Sequence, residues 1–320
     1  MVKLGIPLVL FISIFLFVGG PNVHELKVYF EFWQLGHFGL FGIIILLLAQ
    51  RKFVQRTHWA VQFIGTGIVC LILGLATEYL QQYFDRSFSL TDISNDIIGG
   101  YSGYFLAQAI RLSDSQDTSK RKRHSTLRLV YVVLILGLTL FAGRSFIKAL
   151  VNEINIRLEF PVLSDFETSF ERDRWQAWRA RTEIGSQFAR SGNGGIKITY
   201  LPARYPSLNL RDFNENWQDY SYLKLSLFNA QKTNVELILK IHDHRHHHTG
   251  YRFSDRFNKT IELAPGWNDL SFSLDEIKNS PNNRTMDMDQ IFSFSLFMIR
   301  PKSTTTIYLD DVYLSQLAPQ

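Results

Sequence analysis

Cysteine is almost absent from the 320-residue chain: Cys70 stands alone, inside an apolar run. No intrachain disulfide can form, so any part of the chain exported to an oxidising compartment must rely on its core alone. A phosphate-cradling Gly-x-x-x-x-Gly-Lys-Ser/Thr loop is missing, as is a Gly-x-Ser-x-Gly nucleophile elbow. An ATP-driven machine or a serine hydrolase of that kind therefore has no support. No run of cations interleaved with aromatics follows any segment, so the net charge of +5 carries no nucleic-acid signature and no nucleic-acid partner is expected. Much of the positive excess falls in two short clusters between apolar runs, Arg51-Lys52 with Arg56, and Lys120-Arg121-Lys122-Arg123. That is the pattern of membrane topology.

The overall hydrophobic share of 46% averages two unlike halves. Before about Ala149 long apolar runs dominate; after about Asn152 the sequence is polar and rich in turns. Five apolar runs stand out, at 4–18, 35–49, 59–80, 97–110 and 129–147. A bilayer core needs roughly 17–25 helical residues. The third and fifth runs suffice alone, and the second does if Phe30, Phe32 and Trp33 form an interfacial belt. The fourth is short and polar at its start, and would need shielding by neighbouring helices. The first follows Lys3 as a signal-peptide core would, but no small-x-small cleavage site follows it, so a retained helix is expected. The basic clusters put the N-terminus in the cytoplasm, although Arg144 and Lys148 run against the rule. Five spans then leave everything after Leu150 outside. The expected fold class is a multi-pass α-helical membrane domain of about five spans plus a C-terminal all-β jelly-roll sandwich. The expected localisation is the cell's inner, cytoplasmic membrane, with membrane lipid as a partner and the C-terminal domain extracytoplasmic. The divisions are 1–111 for a four-helix membrane unit, 112–126 for a basic cytoplasmic loop, 127–149 for the fifth span and 160–317 for the sandwich.

Glu78, Gln81 and Gln82 sit at i, i+3 and i+4, on one helix face. Asp92, Asn95, Asp96, Gly99 and Gly103 share a face of the fourth run, where glycines let helix backbones approach closely in lipid. His37 starts the second run from the same side, and Arg86 is the available counter-ion. Ionisable groups at a membrane boundary are costly and mark functional sites by default. Two chemistries fit. One is acid–base work on a lipid-linked substrate, with Glu78 or His37 carrying the proton and Arg86 holding phosphate. The other is plain binding of an anionic headgroup. A metal held by His37, Glu78, Asp92 and Asp96 is chemically allowed but not demanded by the spacing, and a purely structural role is the plain alternative.

His37 at a helix start, Glu78-x-x-Gln81, Arg86, Asp92, Gly99 and Gly103, in that order, resemble the VanZ-like family over residues 1–111. The family pattern has Asn where this chain has Asp96, with Asn95 beside it. The resemblance implies a bacterial cell-envelope membrane protein linked to glycopeptide-antibiotic tolerance. It brings no settled activity, so His37, Glu78, Gln81, Arg86, Asp92 and Asp96 remain candidate catalytic residues.

From Asp165 the hydrophobic period becomes two. Strands are predicted over 196–200, 222–228, 235–241, 268–274, 292–298 and 306–310, separated by Ser191-Gly192-Asn193-Gly194-Gly195, Pro265-Gly266 and Ser280-Pro281-Asn282-Asn283. Together with Asp165-Phe166-Glu167, Trp217-x-Asp219-Tyr220, Pro265-Gly266-Trp267-Asn268 and Tyr308-Leu309-Asp310-Asp311-Val312, this resembles a galactose-binding-like, carbohydrate-binding-module type of jelly roll over about 160–315. The resemblance implies a structural calcium, with Glu167 and Asp311 as hard oxygen ligands; the plain alternative is that both merely end strands in solvent. It also implies envelope polysaccharide or a lipid-linked glycan as partner. The tract from His242 to His248 binds metal adventitiously, captures it purposefully, or contacts glycan through Asp243, Arg245 and His246. Trp175, Trp178 and Trp217 are either stacking platforms or core. Three functions stand side by side: an envelope glycan-binding protein, a membrane enzyme on a phospholipid or polyprenyl-linked substrate, and an assembly factor for exported polysaccharide.

Overall fold

The computed structural model describes residues 27–84, 88–113, 121–168 and 170–317. The first apolar run at 4–18 and Arg86 lie outside the described residues. The chain divides into two compact units between Val151 and Asn152.

The first unit is helical: α1 (Lys27–Ala49), a single turn α2 (Lys52–Gln55), α3 (Trp59–Gln81), α4 (Leu90–Ser113) and α5 (Arg121–Glu159), whose last turns belong to the second unit. Three of these, α1, α3 and α5, are long and apolar enough to cross a membrane. They match the second, third and fifth apolar runs. The fourth run belongs to a 24-residue helix that starts seven residues earlier than its apolar part, because Ser89 caps it by accepting from Asp92 N at 3.2 Å. Against the expectation of about five spans, three helices among the described residues qualify by length and composition. The basic segment expected as a loop to 126 is already helical from Arg121.

Helix α4 packs against α1 and α3, and small residues permit it. A Cβ on Gly99 would overlap the Phe38 carbonyl of α1, one on Gly103 the Gly42 carbonyl, and one on Gly100 the Cys70 sulfur of α3. The close approach expected of this stripe is therefore present. Trp33, Leu40, Phe41, Ile45, Cys70 and Tyr104 form the small core. Large apolar residues such as Ile64, Ile68 and Ile72 of α3, and Leu129, Val133, Leu136 and Leu140 of α5, are exposed.

The second unit is an antiparallel sandwich of β1 (Val162–Ser164), β2 (Trp175–Trp178), β3 (Ala180–Ile184), β4 (Ile196–Tyr200), β5 (Ser207–Leu210), β6 (Tyr222–Asn229), β7 (Val235–Asp243), β8 (Phe257–Leu263), β9 (Gly266–Ser273), β10 (Ile291–Phe297) and β11 (Thr305–Ser315), with a short α6 (Leu274–Lys278). One sheet runs β3-β4-β11-β6-β9, with β1 also on β11; the other runs β2-β5-β10-β7-β8. Alternation drives both. Leu237, Leu239 and Ile241 of β7, Phe294 and Leu296 of β10 and Ile196, Ile198 and Tyr200 of β4 point into one core around Trp217.

Candidate functional site

In the helical unit, four of the six sequence-predicted residues converge. His37 Nδ1 donates to Asp96 Oδ1 at 3.0 Å, and its Nε2 lies 3.7 Å from Asp92 Oδ2. Glu78 Oε2 accepts from Ser89 N at 2.7 Å, which ties the end of α3 to the start of α4. His37 is 2% exposed and Asp96 0%; Glu78, Gln81 and Asp92 are buried too. Yet His37 Nε2, Glu78 Oε1, Asp92 Oδ1 and Asp96 Oδ2 make no hydrogen bond among the described residues. Leaving such atoms buried and unmatched costs about 1–3 kcal/mol each, more than packing alone requires. No set of three acids, histidines or cysteines among the described residues has the arrangement of a metal site. Sequence reasoning did not single out a second polar group, in which Gln62 Oε1 accepts from Gln108 Nε2 (3.1 Å) and Arg111 Nη1 (2.9 Å) while Arg111 also reaches the Ala49 carbonyl.

In the sandwich, three of the four expected ligand-binding residues are buried. Trp217 is 0% exposed, and its Nε1 donates to Asn214 O at 2.9 Å, so it is core and no sugar platform. Asp243 is also 0% exposed, because Arg284 grips it with Nη1 at 2.5 Å and Nη2 at 2.8 Å while Asp287 N adds a third bond. His246 is held by Asp255 (3.1 Å), which Arg284 also binds through Nε (2.7 Å). The guanidinium holds both carboxyls well below the usual carboxylate range. This network is a staple between the end of β7 and the histidine-rich turn. Only Arg245 remains exposed, 3.3 Å from Asp287. Trp175 is buried as well.

Glu167 and Asp311 both bind the turn at Ser191–Gly194. Glu167 Oε1 accepts from Asn193 N (2.6 Å) and Gly194 N (2.8 Å), and Asp311 Oδ1 accepts from the Ser191 hydroxyl (2.6 Å). Between them Asp310 takes Arg190 N and Ser191 N, although burial pushes its carboxyl up to about 6. The acids thus clasp the Ser191–Gly194 turn, where Gly192 has φ +56°. Calcium needs six to eight oxygens, and these residues, spent on N–H and O–H donors, do not fit that ion.

What the sequence reading did not find is the outward face of the five-stranded sheet. Register aligns Trp178, Ser207, Phe297, Ile238 and Thr260 in one row across the strands. The next row holds Gln176, Asn209, Ser295, Lys240 and Asn258. Trp178 is 64% exposed, and Tyr205 meets the Phe297 ring edge-on at 6.3 Å. At the other end Ser293 pairs with His242, and a bulge brings Phe292 beside it. His247 meets Phe292 (4.7 Å) and Tyr251 (5.2 Å) edge-on. Flat aromatic rings at both ends, with amides and hydroxyls between, suit the mixed apolar and polar faces of a sugar chain.

No family model matches the chain, and no curated protein matches it in sequence. Among solved structures, the sandwich is similar to a family 11 carbohydrate-binding module from Clostridium thermocellum in complex with a β-1,3-1,4-mixed-linked tetrasaccharide. The identity is 15%, the TM-score 0.39, and 50% of this chain and 96% of that one are covered. It is also similar to an exo-β-agarase (14% identity, TM-score 0.41, 50% of this chain and 25% of that one). A third is a family 30 carbohydrate-binding module of a cellulosomal cellulase of Clostridium thermocellum (10% identity, TM-score 0.36, 46% and 93%). At these scores the similarity transfers no ligand. For the VanZ-like resemblance of residues 1–111 the comparisons add nothing.

Proposed function

We propose that this chain is a membrane-anchored glycan-binding protein of the bacterial envelope, with the sandwich as the binding module and the helical unit as its anchor. The observation that carries the reading is the outward face of the β2-β5-β10-β7-β8 sheet, where exposed Trp178 and Tyr205 stand at one end, Phe297 and Ile238 continue the row of Trp178, and the amides of Gln176, Asn209 and Asn258 lie in the next row with Lys240. A sheet face built only for solvent has no need of such large exposed rings. The anchor reading draws on α1, α3 and α5, which have the length and composition to cross a membrane, and on the outward apolar residues of α3 and α5. The positive-inside rule orients the sandwich away from the cytoplasm. Two experiments test this. The full chain in lipid nanodiscs is screened against a polysaccharide array, and at least one glycan should bind and lose about tenfold or more in affinity in Trp178→Ala. In a Cys70→Ser background, Leu317→Cys should react with an impermeant thiol reagent on intact cells. No glycan binding, or labelling only after lysis, would refute the corresponding half.

A second reading concerns the helical unit itself. The four unmatched polar atoms around His37, Glu78, Asp92 and Asp96 favour a VanZ-like unit that binds or turns over a lipid-linked ligand there. A link to glycopeptide tolerance belongs to the same reading. Glu78→Gln should abolish turnover or binding of a lipid-linked substrate; an unchanged rate and affinity removes this role.

A further inference from the structure

The outward sheet face is basic as well as aromatic, and its central cation has no acid. Lys240 lies between core residues Leu239 and Ile241, so its side chain emerges on the outward face. There it is half-buried, aligned with Ser295 on one side and Asn258 on the other. It makes no hydrogen bond or ion pair with any described residue. The charges that act on it are Arg256 and Arg211, both positive; with burial as the larger cause, they pull its ammonium down to about 8. Arg256 is half-buried, with Nε unmatched, 5.3 Å from the Phe253 ring centre. Along the other edge Arg179 lies over the Trp178 ring (5.6 Å) and Arg204 over Tyr205 (5.3 Å).

Nearby acids are committed elsewhere. Asp243 and Asp255 belong to Arg284, and Glu215 to His244 at 3.0 Å. Asp212 acts on Arg174. On the same face Glu236 and Glu262 pair in register four residues along β7 from Lys240, roughly 13 Å away. A half-buried ammonium that feels two guanidinium groups and pairs with no acid is unfavourable in the free protein. An incoming anion would relieve it, gaining charge-assisted hydrogen bonds in a partly desolvated place. Arg256, Asn258 and Phe253 also line a groove of about 470 Å³, together with Glu276, which is paired with Lys259.

We propose that this face binds an anionic polysaccharide, with Lys240 contacting its carboxylate, sulfate or phosphate groups and Arg211 and Arg256 flanking it. This rests on the glycan-binding reading above and names the class of glycan. The test uses the full chain in phosphatidylcholine nanodiscs, whose zwitterionic lipid adds no competing net charge. Affinities are measured for polygalacturonate, a sulfated galactan and poly(glycerol phosphate), with mixed-linkage β-glucan and agarose as neutral arms. At least one anionic polymer should bind about tenfold or more tightly than either neutral one, with an affinity that falls as salt rises. The three anionic arms identify which charged group is recognised. Lys240→Gln should lower the anionic affinity about tenfold, whereas Lys259→Gln, a cation already paired with Glu276, should not. Because Lys240→Gln removes a repulsion, its melting temperature should equal or exceed the parent's, which separates lost binding from lost folding. Neutral glycans binding as tightly as anionic ones, or an unchanged Lys240→Gln, would overturn this proposal and leave the glycan-binding reading standing. No binding of any of the five polymers would overturn this proposal, while the polysaccharide array decides the glycan-binding reading separately.

Discussion

Replacing Arg284 by Met should uncouple the histidine-rich turn from the sandwich. The Arg284 side chain is largely buried and donates four bonds of 2.5–2.9 Å to Asp243 and Asp255, of which Asp243 is wholly enclosed. Methionine preserves most of the volume but strands two carboxylates. Removing one partner of a buried ion pair costs about 3–5 kcal/mol. For a unit of this size that corresponds to a fall of roughly 6–20 °C in melting temperature, at about 2–4 °C per kcal/mol. Tryptophan emission follows the transition, because Trp175, Trp178, Trp217 and Trp267 all lie in the sandwich. The pH dependence has a definite sign. In the parent both acids are held below the ordinary carboxylate range, so their contribution is present above about pH 4 and is lost as pH falls through the depressed values. In Arg284→Met the same acids are buried without a cation, and protonation relieves them. The gap between the two proteins should therefore narrow from pH 7 to pH 4. A loss under about 1 kcal/mol at pH 7, or a gap that does not change with pH, would refute this account of the network.

Trp217→Ala should destabilise the sandwich by about 3–5 kcal/mol, whereas Trp178→Ala should cost under about 1 kcal/mol; comparable losses on thermal unfolding would contradict their assignment to core and face. Gly99→Ala drives a methyl into the Phe38 carbonyl while Gly39→Ala meets open space. The first should lower the aggregation temperature of the detergent-purified protein by an amount equivalent to about 1–3 kcal/mol and the second should not. Burial, with smaller repulsion from neighbouring cations, pushes the His242 ring down to about 3. Below the unfolded value near 6.5 the unfolded chain then takes up a proton that the folded one refuses. Stability should fall with acidification by up to about 1.4 kcal/mol per pH unit between pH 6.5 and 3. His242→Gln should remove that component, and an identical slope in both proteins would rule it out.

Six strands were legible because their apolar residues alternate over five or more positions, as in Ile196-Lys197-Ile198-Thr199-Tyr200. Strands β1, β2, β3, β5 and β8 were not, β1 because it has only three residues. In β2 only Trp175 is buried, β3 is an edge strand of mostly polar residues, and β5 has four residues. Strand β8 begins with Phe257-Asn258, which read as the tail of a polar loop. The helical acids were legible by face, because i, i+3 and i+4 spacing survives folding unchanged. The ligand residues of the sandwich were misjudged for the opposite reason. Polar, planar side chains at 243–248 have the composition of a binding loop, but Arg284, 41 residues after Asp243, turns two of them inward. That separation leaves no local pattern.

Uncompensated charge separates the polar clusters better than composition does. Around Arg284 every carboxylate has a guanidinium and the staple is complete, so it needs no ligand to account for it. Around Asp310 and Glu167 the donors are backbone N–H groups of one turn, and the acids are spent on holding it. Lys240 has neither kind of partner, although its strand is fixed on both sides by β10 and β8 and cannot move to find one. A cation whose strand is fixed where its own protein offers it only like charges persists most simply because something outside the protein supplies the opposite one. The His37–Asp96 pair falls between these cases, with one hydrogen bond made and the outer nitrogen and oxygen left open. By the same criterion it is the place in the helical unit where a proton or a ligand is still owed.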